Sequence, residues 1–179
     1  MNVTKEEKKT FFGSPIEGDI QRNYRNDKPQ KSAEELHALL TEVLSDPGIE
    51  AVRWIQYTPY FNDGDPCYFR IGESSVKLKI ATVNEILGSI YGDDFDPNDE
   101  DNDYNYEGKV SEGFIDTWSL RYHKDDWKDK VSPSTLAAVE KFESEFGSSY
   151  ENVTQDFFGD HAEVIATKDK FTVEFYEHE

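Results

Sequence analysis

The chain has 179 residues, of which 36% are hydrophobic and 14% aromatic, and its 38 Asp and Glu residues against 19 Lys and Arg residues give a formal charge of -19. The length suits one domain with its own core, and the aromatic residues supply enough apolar area to exclude full disorder. The charge repels phosphates, which excludes direct binding of nucleic acid or of anionic membranes. It attracts a basic protein surface, or it serves solubility alone.

The N-terminal residues 1–31 are polar and show no apolar periodicity, so we predict an arm, either flexible or lying on the body, and assign it no fold. The opening MNVTKEEKKTFFG lacks the apolar core of a signal peptide. No apolar run approaches the roughly 20 residues that a membrane helix needs. The single cysteine, Cys67, excludes internal disulfides. We therefore expect a cytoplasmic protein.

The first helix is predicted to begin after Ser32, which can cap it, with Glu35 completing a capping box. Leucines and valines then follow at helical spacing. Asp46-Pro47-Gly48 is predicted to end the helix, because proline cannot continue the hydrogen-bond ladder.

The stretch RWIQYTPYFNDGDPCYF, residues 53–69, predicts a β-hairpin. Val52 to Thr58 and Cys67 to Ile71 would be its strands, and Asp63-Gly64 its turn. This register places Tyr57 opposite Arg70 and Tyr60 opposite Cys67. One face would then hold Trp54, Gln56, Thr58, Tyr60, Cys67, Phe69 and Ile71.

The middle of the chain is predicted to contain a turn at residues 72–75, a strand at 76–80 and a helix from Thr82, capped with Glu85, to Ile90. Residues 93–107 hold eight acids and no base, which predicts an exposed acidic loop inserted in the domain. Phe114 to His123 is predicted to be a strand, with the side chains of Trp118, Leu120 and Tyr122 on one side.

The C-terminal part is predicted to hold a helix from Ser132-Pro133, a helical turn over residues 153–158 and a hairpin turning at Lys168-Asp169. The core face of that hairpin would comprise Ala162, Val164, Ala166, Phe171, Val173 and Phe175. Together the elements predict a single α+β domain over residues 32–179, an antiparallel sheet of five or six strands with helices packed on it.

The opposite face of the C-terminal hairpin suggests a metal site. His161, Glu163, Glu174 and His178 would project outward together, and imidazoles with carboxylates can hold zinc or another divalent cation. Against this, no short metal motif is present, and glutamates on exposed faces are common in acidic proteins. A divalent metal ion is the only cofactor that the sequence suggests.

Other chemistry is weakly supported, and we predict no catalytic residue. Cys67 has acidic neighbours, which disfavour a nucleophilic thiolate, so a small buried apolar residue is the expected role. Nucleotide-binding glycine motifs are absent. A calcium-loop template starting at Asp96 places Asp101 where that loop requires glycine.

An interaction surface is the remaining hypothesis, because tyrosine and arginine are enriched in binding hot spots. The face of the central hairpin that carries Arg53, Tyr57, Tyr68 and Arg70 could equally lie beneath a helix. The candidate residues are Arg53, Tyr57, Tyr60, Asp63, Asp65, Tyr68 and Arg70 on the hairpin, with Asp99, Glu100, Asp101 and Asp103 in the acidic loop.

Three segments, LTEVLSDPGIEAVRW, WIQYTPYFNDGDPCYF and FGDHAEVIATKDKFTVEFYEHE, resemble a family of uncharacterised small proteins encoded largely by bacteriophages. The resemblance covers residues 36–72 and 157–179. Its motif falls on Trp54, Gln56, Tyr57, Tyr60, Asn62, Asp63, Gly64, Asp65 and Cys67, and on Gly159, Asp160 and His161.

The resemblance implies a phage setting and no activity. Phage proteins of this size and charge include inhibitors of host proteins, some of which imitate DNA. We therefore expect an acidic, non-enzymatic phage-type protein that binds and modulates a host protein with a basic surface, as a DNA mimic or anti-defence inhibitor. The alternatives are a metal-binding protein or metal-dependent hydrolase, and a virion or assembly component. The oligomeric state is not indicated.

Overall fold

The computed structural model describes residues 9–18, 20, 29–60, 63–64, 66–79, 86, 88 and 112–177. Over these residues the chain forms one α+β unit, as predicted, with a seven-stranded sheet ordered β1-β2-β7-β6-β3-β4-β5. The strands are β1 Thr10–Phe11, β2 Ser14–Glu17, β3 Ile49–Tyr57, β4 Arg70–Leu78, β5 Phe114–Asp116, β6 Ala162–Ala166 and β7 Phe171–Phe175. The helices are α1 Ala33–Ser45, α2 Thr117–Tyr122, α3 Lys124–Trp127, α4 Pro133–Glu145 and α5 Glu151–Phe158. None of the helices in these ranges is long and apolar enough to cross a membrane.

The N-terminal arm contributes two strands, which corrects the prediction that residues 1–31 have no fold. β2 runs parallel to β7, so the sheet is mixed rather than antiparallel. Phe11 is fully buried and its ring packs against Phe157 and Phe171 at 4.9 and 5.5 Å between centroids. Two apolar residues, Phe11 and Ile16, anchor the arm to the core, too few for any periodicity to show in the sequence.

Helix α1 has the predicted capping box. The Ser32 N–H donates to Glu35 Oε2 at 2.8 Å, and the Glu35 N–H donates to Ser32 Oγ at 3.2 Å. The helix ends at Asp46, whose carboxylate accepts from the Thr135 hydroxyl at 2.6 Å and from the Gly48 N–H at 2.8 Å. These bonds join the end of α1 to the first turn of α4.

The Asp46 carboxylate makes the stability of the fold sensitive to acid. Burial alone raises the pKa of Asp46, but hydrogen bonds from Thr135, Ser134 and the Gly48 N–H hold it below the ordinary value of 3.8. A carboxyl whose pKa is lower in the folded state stabilises the fold above its unfolded pKa, and that contribution is lost as pH falls through the folded pKa.

We therefore expect Asp46→Asn to reduce the loss of stability on acidification. Between about pH 6 and about pH 3, a window that spans the unfolded pKa of aspartate, the free energy of unfolding should fall less in this variant than in the wild-type chain. Urea unfolding at each pH measures this. Asp169→Asn, in the exposed β6–β7 turn, is the control and should keep the wild-type slope. Identical slopes for all three chains would contradict the role of Asp46.

The predicted central hairpin forms with Tyr57 opposite Arg70, as expected. Its strands end there, so the predicted pairing of Tyr60 with Cys67 is wrong. Beyond this point the Thr58 N–H donates to the Asp160 carboxylate at 2.8 Å, on the side of β6. Gly64 has the positive φ that the turn requires, at 92°.

The predicted turn at residues 72–75 is also wrong, because β4 runs through it without a break. A bulge accommodates the GESS sequence: β4 has two residues between Ile71 and Ser74 where β3 has only Ile55. A Cβ atom at Gly72 would lie 3.0 Å from Cγ1 of Ile55, so glycine permits the two strands to approach. The first described residue after β4 in a helix is Ile86, and the predicted acidic loop lies outside the described residues.

The predicted strand at residues 114–123 stops after Asp116, where helix α2 begins. The Asp116 carboxylate accepts from the Ser119 N–H at 2.6 Å and so caps the helix. Trp118 and Tyr122 lie one turn apart and stack with their ring centroids 5.2 Å apart. The alternation that suggested a strand is also compatible with a helix of six residues.

The C-terminal predictions are confirmed in their main points. Helix α4 follows the Ser132 cap, α5 ends at Gly159, and Glu163 pairs with Glu174 across the hairpin. Phe175 is an exception, since it is 59% exposed rather than part of the core. The core lies between the sheet and the helices, where the Trp54 ring packs against Phe146 at 5.1 Å.

Candidate interaction site

The second face of β3 is interior, which corrects its use as a binding surface. Arg53, Ile55 and Tyr57 are 2%, 3% and 6% exposed. The Arg53 guanidinium donates from Nε and Nη2 to Glu163 Oε2 at 2.9 and 2.7 Å. These side chains therefore hold β3 against β6 and are not available to a partner.

The four residues predicted to form a metal site do not project outward together. Glu163 is buried and paired with Arg53, and His161 is 8% exposed, while Glu174 lies at the surface. His178 lies outside the described residues. Within the part of the chain that the structure describes, no group of three or more His, Cys, Asp or Glu residues is placed to hold a metal ion. The metal site stays a prediction from sequence.

The WIQYT segment and the FGDH segment meet at the point where β3 ends. The Trp54 indole N–H donates to Gln56 Oε1 at 2.9 Å. The Gln56 amide group in turn donates to the carbonyl oxygens of Thr154 and Gly159. A fully buried glutamine side chain thus joins the central strand to the end of α5.

Asp160 makes the second connection between the two segments. Its carboxylate accepts hydrogen bonds from the Thr58 N–H at 2.8 Å, the Thr58 hydroxyl at 2.7 Å and the His161 N–H at 2.8 Å. The carboxylate is 2% exposed, so these bonds form in a low-dielectric interior where charged acceptors bind strongly. Asp160 therefore fixes the backbone on both sides of the junction.

Three rings are stacked above this junction, and we call them the ring stack: Tyr60, His161 and Phe175. The Tyr60 and His161 centroids are 4.7 Å apart with an angle of 15° between planes. The His161 and Phe175 centroids are 6.1 Å apart at 28°. Tyr60 is 64% and Phe175 59% exposed, so a buried imidazole lies between two rings that face solvent.

His161 is held at a cost to stability. Its φ is 51°, in the left-handed region that residues other than glycine rarely adopt. Its Nδ1 atom is buried and has no hydrogen-bond partner, and its Nε2 lies 4.0 Å from Asp160 Oδ1. Strained backbone and unsatisfied polar atoms are concentrated at functional sites.

The other candidate residues of the central hairpin belong to the same segment of the chain as Tyr60. The Arg70 guanidinium carbon lies 4.8 Å from the centre of the Tyr57 ring, which itself packs against Tyr176 at 5.5 Å. Tyr68 and Asp63 are exposed, and Cys67 is half-buried rather than fully buried. The other predicted binding residues, Asp65, Asp99, Glu100, Asp101 and Asp103, lie outside the described residues.

A second surface feature was missed by the sequence analysis. A cavity of about 630 Å³ lies between α2, α3 and α4, with Leu120, Trp127 and Val139 in its lining. Ion pairs from Arg121 to Glu143 and from Lys124 to Glu140 span it. Since each base there is already paired with an acid, the cavity presents no free charge to a ligand.

Comparison of the chain with protein-family models, with curated proteins and with solved structures found no match. The resemblance to phage-encoded proteins therefore stays a prediction. The ring stack was also missed by the sequence analysis, because Tyr60 was assigned to a paired strand and His161 to an exposed face. The signal that could have found it is the presence of Gln56, Asp160 and His161 in the two segments that carry the resemblance.

Proposed function

We propose that the chain is an acidic, non-enzymatic binding protein that docks on a basic surface of a partner protein. In the phage setting that the resemblance implies, the partner is a host protein and the acidic surface imitates DNA. The observation that carries the proposal is the surplus of acids, 38 against 19 bases. Such a surplus produces a negative potential that accelerates and orients association with a positive surface.

Ion pairing within the fold leaves this surplus unchanged, because each pair neutralises one acid and one base. Many described bases are already matched by a carboxylate and add little positive potential at the surface. The pairs are Lys31 with Glu145, Arg53 with Glu163, Arg121 with Glu143, Lys124 with Glu140, Lys128 with Asp125, Lys141 with Glu42 and Lys170 with Glu17. The excess acids, which in sequence are concentrated in the 93–107 segment, set the field that a partner meets.

We expect the charges of the 93–107 segment to govern binding. The partner is first captured from host lysate and purified, and its affinity is then measured at low and high salt. Replacing Asp99, Glu100, Asp101 and Asp103 by their amides should weaken binding about tenfold at low salt, because each lost carboxylate removes attraction that salt would otherwise screen. The same change should flatten the dependence of affinity on salt.

A matched control removes four acids elsewhere on the surface. Glu34, Glu50, Asp129 and Asp169 are exposed, and their amide variants lower the total charge by the same amount. A larger loss of affinity in the 93–107 variant than in this control would support a local docking segment. Binding that neither salt nor either variant changes would refute the electrostatic proposal.

Two rival functions have separate tests. A metal-dependent hydrolase using the C-terminal hairpin requires stoichiometric metal, which elemental analysis of the purified, untagged protein would detect. A virion or assembly component would be recovered in purified particles. Either result would replace the proposed function.

A further inference from the structure

We propose that the ring stack is the docking point for an arginine side chain of the partner. The inference rests on the proposed function and assigns its anchor: a guanidinium group bound on the exposed outer face of the Tyr60 ring. Aromatic rings attract cations through the negative charge density of their faces. The proposal adds a specific contact, at the junction of β3 and β6, to the electrostatic attraction of the acidic segment.

The ring stack is rigid before any partner arrives. Asp160 holds the backbone of Thr58 and His161 through three hydrogen bonds, and Gln56 ties β3 to Gly159. A binding surface whose rings are already positioned loses little conformational entropy on association. Exposed tyrosine on such a frame has the character of an interface hot spot.

His161 supports the assignment because its placement works against stability. A positive φ and a buried Nδ1 atom without a partner both destabilise the folded chain. What the placement achieves is stacking, since the imidazole lies against the Tyr60 ring at 4.7 Å between centroids and against the Phe175 ring at 6.1 Å. Binding at the stacked rings accounts for a residue that stability alone would not favour.

Charge selects the occupant. The chain carries a formal charge of -19, and Asp63, three residues after Tyr60, is exposed in the hairpin turn. This negative charge favours a cationic side chain and disfavours a nucleic acid, whose phosphates it would repel. Arginine fits better than lysine because its planar guanidinium stacks on a ring while its N–H groups reach carboxylates.

The fold already contains one contact of the proposed kind. The Arg70 guanidinium lies over the Tyr57 ring at 4.8 Å and its Nη2 donates to the Tyr57 hydroxyl at 2.5 Å. Tyr57 and Tyr60 are three residues apart in the chain. An arginine from a partner would repeat this arrangement on Tyr60.

The test uses the full chain and an acetylated, amidated peptide of glycine and arginine in alternation. A second peptide carries citrulline in place of arginine, which keeps the shape and removes the charge. NMR titration should shift the side-chain signals of Tyr60, His161 and Phe175 with the arginine peptide and leave them unchanged with the citrulline peptide. Tyr60→Ala should weaken binding of the arginine peptide about tenfold.

Two further variants keep the result interpretable. Tyr60→Leu retains an apolar side chain without a π face and should lose affinity as Tyr60→Ala does, even if the alanine variant is less stable. Tyr122→Ala removes another exposed tyrosine, 72% exposed and stacked on Trp118 instead, and should bind as the wild-type chain does. Equal affinity for the peptide in the Tyr60 and Tyr122 variants would overturn the proposal.

The proposal and the proposed function can fail separately. Salt-sensitive binding of the captured partner that persists in Tyr60→Leu would reject the ring stack as its anchor and leave the acidic binding function in place. Peptide binding that depends on Tyr60, in a chain that binds no basic protein at any salt, would retain the arginine site and reject the proposed function. Signal shifts spread over all acidic residues, without preference for the ring stack, would reject the site.

Discussion

Replacing Arg53 by methionine is expected to lower the free energy of unfolding by about 3–5 kcal/mol, because it removes the guanidinium that pairs with the buried Glu163 carboxylate. Both side chains are almost fully buried, at 2% and 8% exposure, and the two hydrogen bonds between them join neighbouring strands. Urea unfolding followed by circular dichroism measures the change.

The double variant Arg53→Met with Glu163→Leu separates loss of the pair from loss of packing. Because the desolvation of both charges disappears, its stability should return to near the wild-type value. Arg121→Met is the control for an exposed pair, since Arg121 is 71% exposed and its ion pair with Glu143 should contribute about 0–1 kcal/mol. An Arg53 variant no less stable than the Arg121 variant would show that the buried pair contributes little.

Asp160→Ala is expected to destabilise the fold by about 3 kcal/mol, because buried donors lose a charged acceptor. The Thr58 N–H, the Thr58 hydroxyl and the His161 N–H all depend on that carboxylate. The variant should also release the ring stack, so that the NMR signals of Tyr60 and His161 move towards those of mobile side chains.

The control is Asp129→Ala, the same change at an exposed position, which should shift stability by no more than about 0.5 kcal/mol. Thr58→Val removes one of the three bonds to the carboxylate and should cost less than Asp160→Ala. Full retention of stability and of the ring signals in Asp160→Ala would show that the junction does not depend on this residue.

Helix boundaries were predictable because their determinants are local. Ser32 with Glu35 and Ser132 with Pro133 mark helix starts through bonds within one turn, and both caps are present in the structure. The C-terminal hairpin was predictable for a similar reason, since alternation and a short turn specify its register. Phe175 has the predicted position in the strand, but its side chain is exposed instead of buried.

The errors arose where a contact distant in sequence decides the local structure. β4 continues through Gly72 because Ile55 of the neighbouring strand fills the space that a side chain would occupy. At the end of β3 the Thr58 N–H donates to the carboxylate of Asp160, which is 102 positions away in the chain. Neither partner can be read from the residues on either side of the break.

The charge, the α+β class and most helices and hairpins follow from the sequence, because these depend on composition and on patterns spanning a few residues. The pairing of Arg53 with Glu163 in the interior and the addition of the N-terminal arm to the sheet became evident from the fold. It also placed Tyr60 over His161, although 101 positions separate them. Such placements depend on the packing of distant segments around one core, and one sequence carries no local signal of which segments will meet.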